Sequence, residues 1–363
     1  MARRRASKSA NPFLRAMLSA PKPKRRATPK KRTAARAPGR AAGVRRTTGR
    51  PARHVDPKTL LKGKGRWHSL RYVGSAGTRA YRVYLPKGLR KTTRAPLLLA
   101  LHGCHQDPEA FAASTRFDQL ADTHQFVLVL PQQSLAGNAN QCWNWFRPEH
   151  QTAAGGEPAI LAGIVQRVCS ETREWSIDPD RVYAVGLSAG AAMTMTLAAT
   201  HPGLLAAIAV HSGPPHRSAS NPSQALTAMA GLGSLPLPAA GQPPLPPLVV
   251  FQGDRDGVVA SVNGERMVQQ WLAAYVASTG SLDTLKPQPP LIRPASVSRT
   301  GPRGSRMIRW EGPGRRRVLE WWKVDGLGHA WSGGVGSLPF SDARGPRAST
   351  AIWRFLASHR RSE

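Results

Sequence analysis

From residue 67 onward, short apolar runs alternate with stretches whose apolar positions recur every three to four residues. Tyr81–Leu85 (YRVYL), Pro96–Leu101 (PLLLAL), Phe126–Leu130 (FVLVL), Arg181–Val185, Leu205–Val210, Leu248–Phe251 (LVVF) and Arg317–Val324 (RVLEWWKV) predict strands. Ala110–His124, Glu157–Trp175, Ala189–Thr200, Gly264–Thr279 and Ser349–His359 predict helices, with Ile160, Ile164 and Val168 on one helical face. Several strands are apolar throughout and most are separated by helices. That order predicts an α/β domain with a mostly parallel central sheet and helices on both faces, spanning 67–363.

Two stretches break the alternation. Pro214–Pro247 holds nine prolines among Gly, Ala and Ser, and Pro287–Arg306 mixes prolines with basic residues. Both predict irregular insertions. The first follows the strand after Ala189–Thr200, where it serves either as a lid over a site or as an inert insertion.

Residues 1–66 have a different character. They carry 22 of the 52 Lys and Arg residues and a single acid, Asp56. Apolar residues there are too sparse to offset the entropy of ordering the chain, so this segment is expected to be a basic, disordered tail. It accounts for most of the formal net charge of +32. Lys24-Arg25-Arg26 and Lys30-Lys31-Arg32 suit non-specific contact with a polyanion or with an anionic granule or membrane surface. No base-reading module or interleaved aromatic accompanies them, which argues against sequence-specific nucleic-acid recognition. No apolar run approaches the roughly 18 residues of a membrane span. The stretch 11–20 (NPFLRAMLSA) is a poor secretory core because it is short and holds Arg15. Cys104, Cys142 and Cys169 form neither a disulfide scaffold nor a zinc-ligand spacing, and no metal or cofactor is implied.

The chemistry concentrates in Val182-Tyr183-Ala184-Val185-Gly186-Leu187-Ser188-Ala189-Gly190. A strand running into Gly-x-Ser-x-Gly and then a small-residue helix start is the layout of a nucleophile elbow, with Ser188 on a sharp strand-to-helix turn. A serine hydroxyl needs a base, and the base an orienting acid. The base candidate is His329 in the Gly-rich loop Gly326-Leu327-Gly328-His329; the rival His359 stands beside Arg360 and Arg361, which oppose imidazolium. Asp254 and Asp256, after the Leu248–Phe251 strand, are both candidates for the acid. A tetrahedral oxyanion needs two aimed N–H groups. Ala189, at a helix N-terminus, offers one, and Cys104, in the loop His102-Gly103-Cys104-His105 after a strand, offers the other. Neither His102 nor His105 is expected to be catalytic.

The segments LHGCHQ (101–106), LPQQSLAGNANQCWNWF (130–146), GLSAGAAMT (186–194), HSGPP (211–215), FQGDRDGVV (251–259) and GLGHAWSGG (326–334) resemble, in order, the poly(3-hydroxybutyrate) depolymerase family of serine esterases. The same family includes feruloyl and acetylxylan esterase-like members. The resemblance covers about residues 67–358. It implies an α/β-hydrolase fold, carboxylic-ester cleavage at Ser188, and a polyester or hydroxyalkanoate oligomer as substrate. The family's acid pattern, His-Gly-x-x-Asp-x-x-Val, falls on Asp256 and Val259, with Gln252 in place of the histidine; this selects Asp256. The resemblance also implies a disulfide between Cys104 and Cys142, and an extracellular enzyme, against which the weak export signal points to the cytoplasm. Trp143, Trp145 and Trp331 lie near these motifs, where they either wall an acyl site or fill the core. The rival readings are a feruloyl or acetylxylan esterase-like hydrolase and a polyanion-binding protein built on an inert hydrolase fold.

Overall fold

The computed structural model describes residues 56–171, 173–239, 242–293 and 301–361. The expected disordered tail, up to residue 55, and the polyanion contact assigned to it therefore lie outside the described residues.

Strands β1 (Arg66–Gly74), β2 (Gly77–Leu85), β3 (Arg94–Leu101), β4 (Val127–Pro131), β5 (Ser176–Leu187), β6 (Ala207–His211) and β7 (Leu248–Gly253) are joined by helices α1 (Pro108–Thr115), α2 (Phe117–His124), α3 (Gly156–Ser170), α4 (Ala189–Thr200) and α5 (Pro222–Met229). Helix α6 (Val262–Thr279), the short strands β8 (Lys286–Pro287) and β9 (Leu291–Arg293), strands β10 (Ser305–Glu311) and β11 (Arg317–Val324), the pair β12 (Trp331–Ser332) and β13 (Ser341–Asp342), and helix α7 (Ala348–Leu356) follow. One sheet runs β1-β2-β4-β3-β5-β6-β7-β11-β10-β8, with β9 on β10. Its centre, β4-β3-β5-β6-β7-β11, is parallel throughout, and antiparallel strands finish both edges. This is an α/β-hydrolase architecture. The parallel strands are apolar along their whole length because helices cover both faces; β4 and β6 are buried at every residue.

Four departures from the sequence pattern stand out. Strand β1 was not expected, because an edge strand with no buried residue shows no alternation of apolar and polar positions. The predicted helix 110–124 is two helices, broken at Arg116, whose φ is 58°. There the carbonyls of Ser114 and Thr115 turn to the Val335 N–H and the Ser349 hydroxyl instead of continuing the helix. The body also begins before residue 67. The N–H groups of Lys62 and Gly63 donate to the Asp118 carboxylate on α2, and that of Gly65 to the Tyr84 hydroxyl, so 56–66 belongs to the fold and not to the tail. The insertions are partly regular as well: α5 lies within 214–247, and β9 within 287–306 pairs with β10.

Candidate active site

Ser188 sits between the end of β5 and the start of α4 with φ 57° and ψ −119°, a backbone state that costs a non-glycine residue about 1–3 kcal/mol. The flanking glycines explain how the turn closes. A Cβ on Gly186 would meet the Gly190 carbonyl oxygen at 2.2 Å, and one on Gly190 would meet the Leu101 carbonyl oxygen at 2.2 Å. The helix therefore crosses its own strand and presses on the end of β3, and only hydrogen fits at either position. The Ser188 N–H donates to the His211 carbonyl at 2.9 Å, which ties the elbow to the end of β6.

His329 brings two partners together. Its Nε2 lies 2.9 Å from Ser188 Oγ and its Nδ1 2.9 Å from Asp256 Oδ2. The Asp256 side chain is fully buried, and burial alone would push its carboxyl up. The hydrogen bond and charge of His329, with the N–H groups of Val259 and Val258, outweigh that and hold it below the ordinary carboxylate range. Gln252 Nε2 approaches Asp256 Oδ2 at 3.3 Å and donates to the Val259 carbonyl at 3.1 Å, while its Oε1 is buried with no partner. Asp254, the other acid candidate, instead accepts the Gly326 N–H at 2.6 Å and so holds the start of the His329 loop. His359 is packed against Phe355 far along the chain, next to Arg316, and burial pushes its pKa down to about 3.

The two candidate oxyanion donors come from neighbouring strands. Ala189 opens α4, whose ladder starts only at the Ala192 N–H to the Ser188 carbonyl, so the Ala189 N–H has no acceptor within the helix. The loop bearing Cys104 passes over the end of β5: a Cβ on Gly103 would stand 3.6 Å from the Leu187 carbonyl oxygen. Cys104 is disulfide-bonded to Cys142. Two more ties join the same loops: the Trp143 indole N–H donates to the His102 carbonyl at 3.1 Å, and the Gln133 N–H donates to His102 Nε2 at 3.1 Å. Burial pushes the His102 pKa down to about 4, so this imidazole is a neutral structural acceptor.

The three tryptophans require a correction. Trp143 and Trp331 are 0% exposed and Trp145 is 2% exposed, so none forms an open wall for an acyl chain. Each large ring is consumed by packing, and two indole N–H groups are occupied internally. Trp331 donates to the Ser349 hydroxyl and stands edge-on to Phe111 and Phe117. The half-buried aromatic beside His329 is Phe340, 6.5 Å away and edge-on, at a φ of 56°. Nothing in the sequence pattern singled it out, because it reaches the site from the loop that carries β13.

Two further features were not legible in the sequence. Arg79 and Glu157 form a buried ion pair at 3.6 Å behind Trp143. The Gln133 side chain joins both of them, and the Glu157 carboxylate also accepts from the Asn144 N–H and side-chain amide. A cavity of about 490 Å³, lined by Thr200, His216, Pro236, Leu237, Leu245 and Ala274 among others, lies at the far end of α4. At 1.5 Å rise per residue that end is roughly 18 Å from Ser188. The proline-rich insertion thus packs beside α6 and the far end of α4, while its helix α5 braces the Asp256 loop through the Ala260 N–H to the Met229 carbonyl. Among the described residues no group of His, Cys, Asp and Glu is arranged to hold a metal, and no helix is long and apolar enough to cross a membrane.

A family model described as "Esterase PHB depolymerase" matches residues 79–284. Poly(3-hydroxyalkanoate) depolymerase C of Paucimonas lemoignei is 38% identical over 198 residues, covering 52% of this chain and 46% of that protein. Feruloyl esterase B of Neurospora crassa is 31% identical over 169 residues, covering 44% of this chain and 56% of that protein. The chain thus spans about half the length of these curated relatives. Among solved structures, an acetyl xylan esterase from Aspergillus awamori superposes with a TM-score of 0.60 at 18% identity, over 81% of this chain and 100% of that one; at that identity the likeness concerns the fold.

Proposed function

The chain belongs to the esterase PHB depolymerase family, and from that premise we propose that it is a serine carboxylic-ester hydrolase acting on polyhydroxybutyrate-type polyester or short hydroxyalkanoate oligomers. One observation carries the reading: Ser188 Oγ, His329 and Asp256 form an unbroken hydrogen-bonded relay at 2.9 Å per link. In this mechanism Ser188 attacks the ester carbonyl while His329 Nε2 takes its proton. The oxyanion that forms is held by the N–H groups of Cys104 and Ala189, each worth ~3 kcal/mol of transition-state stabilisation. His329 returns the proton to the leaving alcohol, and water then cleaves the acyl-enzyme by the same relay. Buried Asp256 keeps Nδ1 protonated and stabilises the imidazolium.

Identity to a feruloyl esterase supports a second reading, in which the same serine cleaves feruloyl or acetyl esters of plant-wall sugars. The basic segment 1–55 adds a non-specific polyanion or granule-surface contact in the first reading. Initial rates on hydroxybutyrate oligomers, feruloyl arabinose and acetylated xylose separate the two, with the oligomers expected to be fastest. Ser188→Ala should lower kcat by at least ~10⁴-fold on whichever ester is cleaved, with an unchanged thermal melt. Retained turnover in that variant would overturn both readings.

A further inference from the structure

We propose that His211 is a positioning residue that fixes the nucleophile and the base relative to one another. The inference rests on the esterase reading above. His211 ends β6, which lies between β5 and β7 in the sheet, paired with Leu187 on one side and Phe251 on the other. It therefore stands between the strand that delivers Ser188 and the strand that delivers Asp256.

Its contacts reach all three segments of the relay. The His211 carbonyl accepts the Ser188 N–H at 2.9 Å. Its Nε2 accepts the Ser332 N–H at 3.1 Å, three residues beyond His329. Its ring stacks on Phe251, 5.6 Å between centroids and 17° apart, and on Trp331, 5.0 Å and 29° apart. A purely packing residue would need no nitrogen, yet both nitrogens are engaged. Because Nε2 accepts from a backbone N–H, the proton resides on Nδ1, which donates to Ser212 Oγ at 3.0 Å. The residue is fully buried, and burial pushes its pKa down to about 3, consistent with the neutral tautomer that this bonding requires.

The functional consequence follows from the reach of these bonds. The relay tolerates little misplacement, since about 1 Å of error in a reacting group costs on the order of 10²-fold in rate. Ser188 is held at the elbow by its own backbone, but His329 lies in a Gly-rich loop. The Ser332 N–H to His211 Nε2 bond is the contact that refers this loop back to the residue holding the Ser188 N–H. Without an acceptor at Nε2 the loop keeps its Trp331 anchor in the core but loses its reference to the elbow.

The experiment compares His211→Phe, which keeps the stack and removes both nitrogens, with His211→Gln, which carries a polar acceptor to the position of Nε2, and His211→Asn, which reaches only the position of Nδ1. Readouts are kcat and KM on a short-chain p-nitrophenyl ester, the thermal melt, and the rate and stoichiometry of serine labelling by an alkyl phosphonate. His211→Phe should lose about 10–100-fold in kcat with KM within about twofold of the parent. It should still label to full stoichiometry, but more slowly. His211→Gln should recover most of kcat. Wild-type kcat in folded His211→Phe would overturn the inference, as would losses that merely track the folded fraction. Should His211→Phe fail to fold, the polar pair decides: His211→Gln at least about tenfold faster than His211→Asn supports it, and equal rates overturn it. A parent protein that cleaves no ester, or retains activity in Ser188→Ala, would instead sink the underlying esterase reading.

Discussion

The loop carrying Cys104 and the loop carrying His329 reach Ser188 from opposite sides of β5, and different chemistry fastens them. On the Cys104 side, the chain is joined to the 131–157 segment by a disulfide, by the Trp143 indole N–H, by the Gln133 N–H to His102, and by the His105 N–H to the Asn140 carbonyl at 2.9 Å. Behind these stands the buried Arg79–Glu157 pair. On the His329 side there is no covalent tie. The loop is fastened by hydrogen bonds to Asp254, Asp256 and His211, by the Arg255 N–H to the Leu327 carbonyl at 3.1 Å and by the Trp331 N–H to the Phe340 carbonyl at 2.7 Å, and Gln252 at its base keeps an unpartnered oxygen. The side that supplies fixed backbone dipoles is over-determined. The side proposed to shuttle a proton is held without a covalent clamp, by hydrogen bonds and packing alone.

The widest test of this contrast lies in the acid loop. Asp256→Asn should cut kcat by about 10⁴-fold through loss of the imidazole's orientation and counter-charge, whereas Asp254→Asn should stay within about tenfold. Steady-state rates on a p-nitrophenyl ester check both, and a larger loss at Asp254 would reverse the assignment. On the clamped side, Cys104→Ser with Cys142→Ser should remove about 2–4 kcal/mol of stability in urea titrations. Turnover per folded molecule should fall less than tenfold, because the three remaining hydrogen bonds still hold the loop; a loss as deep as that of Asp256→Asn would erase the contrast.

Each side also contains one buried neutral histidine, which gives a pH test. His102 and His211 titrate at about 4 and about 3 in the fold and near 6.5 when unfolded. Below pH 6.5 the unfolded chain therefore binds protons that the fold refuses, and stability is lost as pH falls toward those values. Each histidine contributes up to ~1.4 kcal/mol per pH unit. Asp256, held below its ordinary range, adds a further loss as pH falls from the ordinary carboxylate range through its lowered pKa. His102→Gln should flatten the urea-derived stability slope between pH 6 and 4.5 by one proton; an unchanged slope would mean that His102 is already charged in the fold.

How much of this was legible in the sequence depends on how local its cause is. The elbow is legible because Gly186, Ser188 and Gly190 are spaced by the requirements of one turn, and the parallel strands because burial on both faces makes them apolar throughout. Strand β11 has the bounds expected for it, Arg317–Val324. The choice between Asp254 and Asp256 was not legible from the loop alone. It is made by the turn that wraps the Val258 and Val259 N–H groups around one carboxylate and sends the other to Gly326. The inward turn of Trp143 and Trp331 was hidden for a similar reason, since their partners His102, Ser349 and Phe111 come from distant parts of the chain. The break at Arg116 depends on residues 335 and 349, more than 200 positions away.

The twisted backbone at residue 188 has a consequence for durability. A φ of 57° with ψ −119° suits glycine far better than serine. Ser188→Gly, inert toward esters, should therefore resist urea better than its parent by about 1 kcal/mol, the low end of what such a conformation stores. An unchanged or lower midpoint would show that the hydroxyl's bond to His329 already repays the twist. A gain in that variant would make the serine-bearing chain the frailer molecule, so that drift toward greater robustness would lead through the loss of the proposed nucleophile.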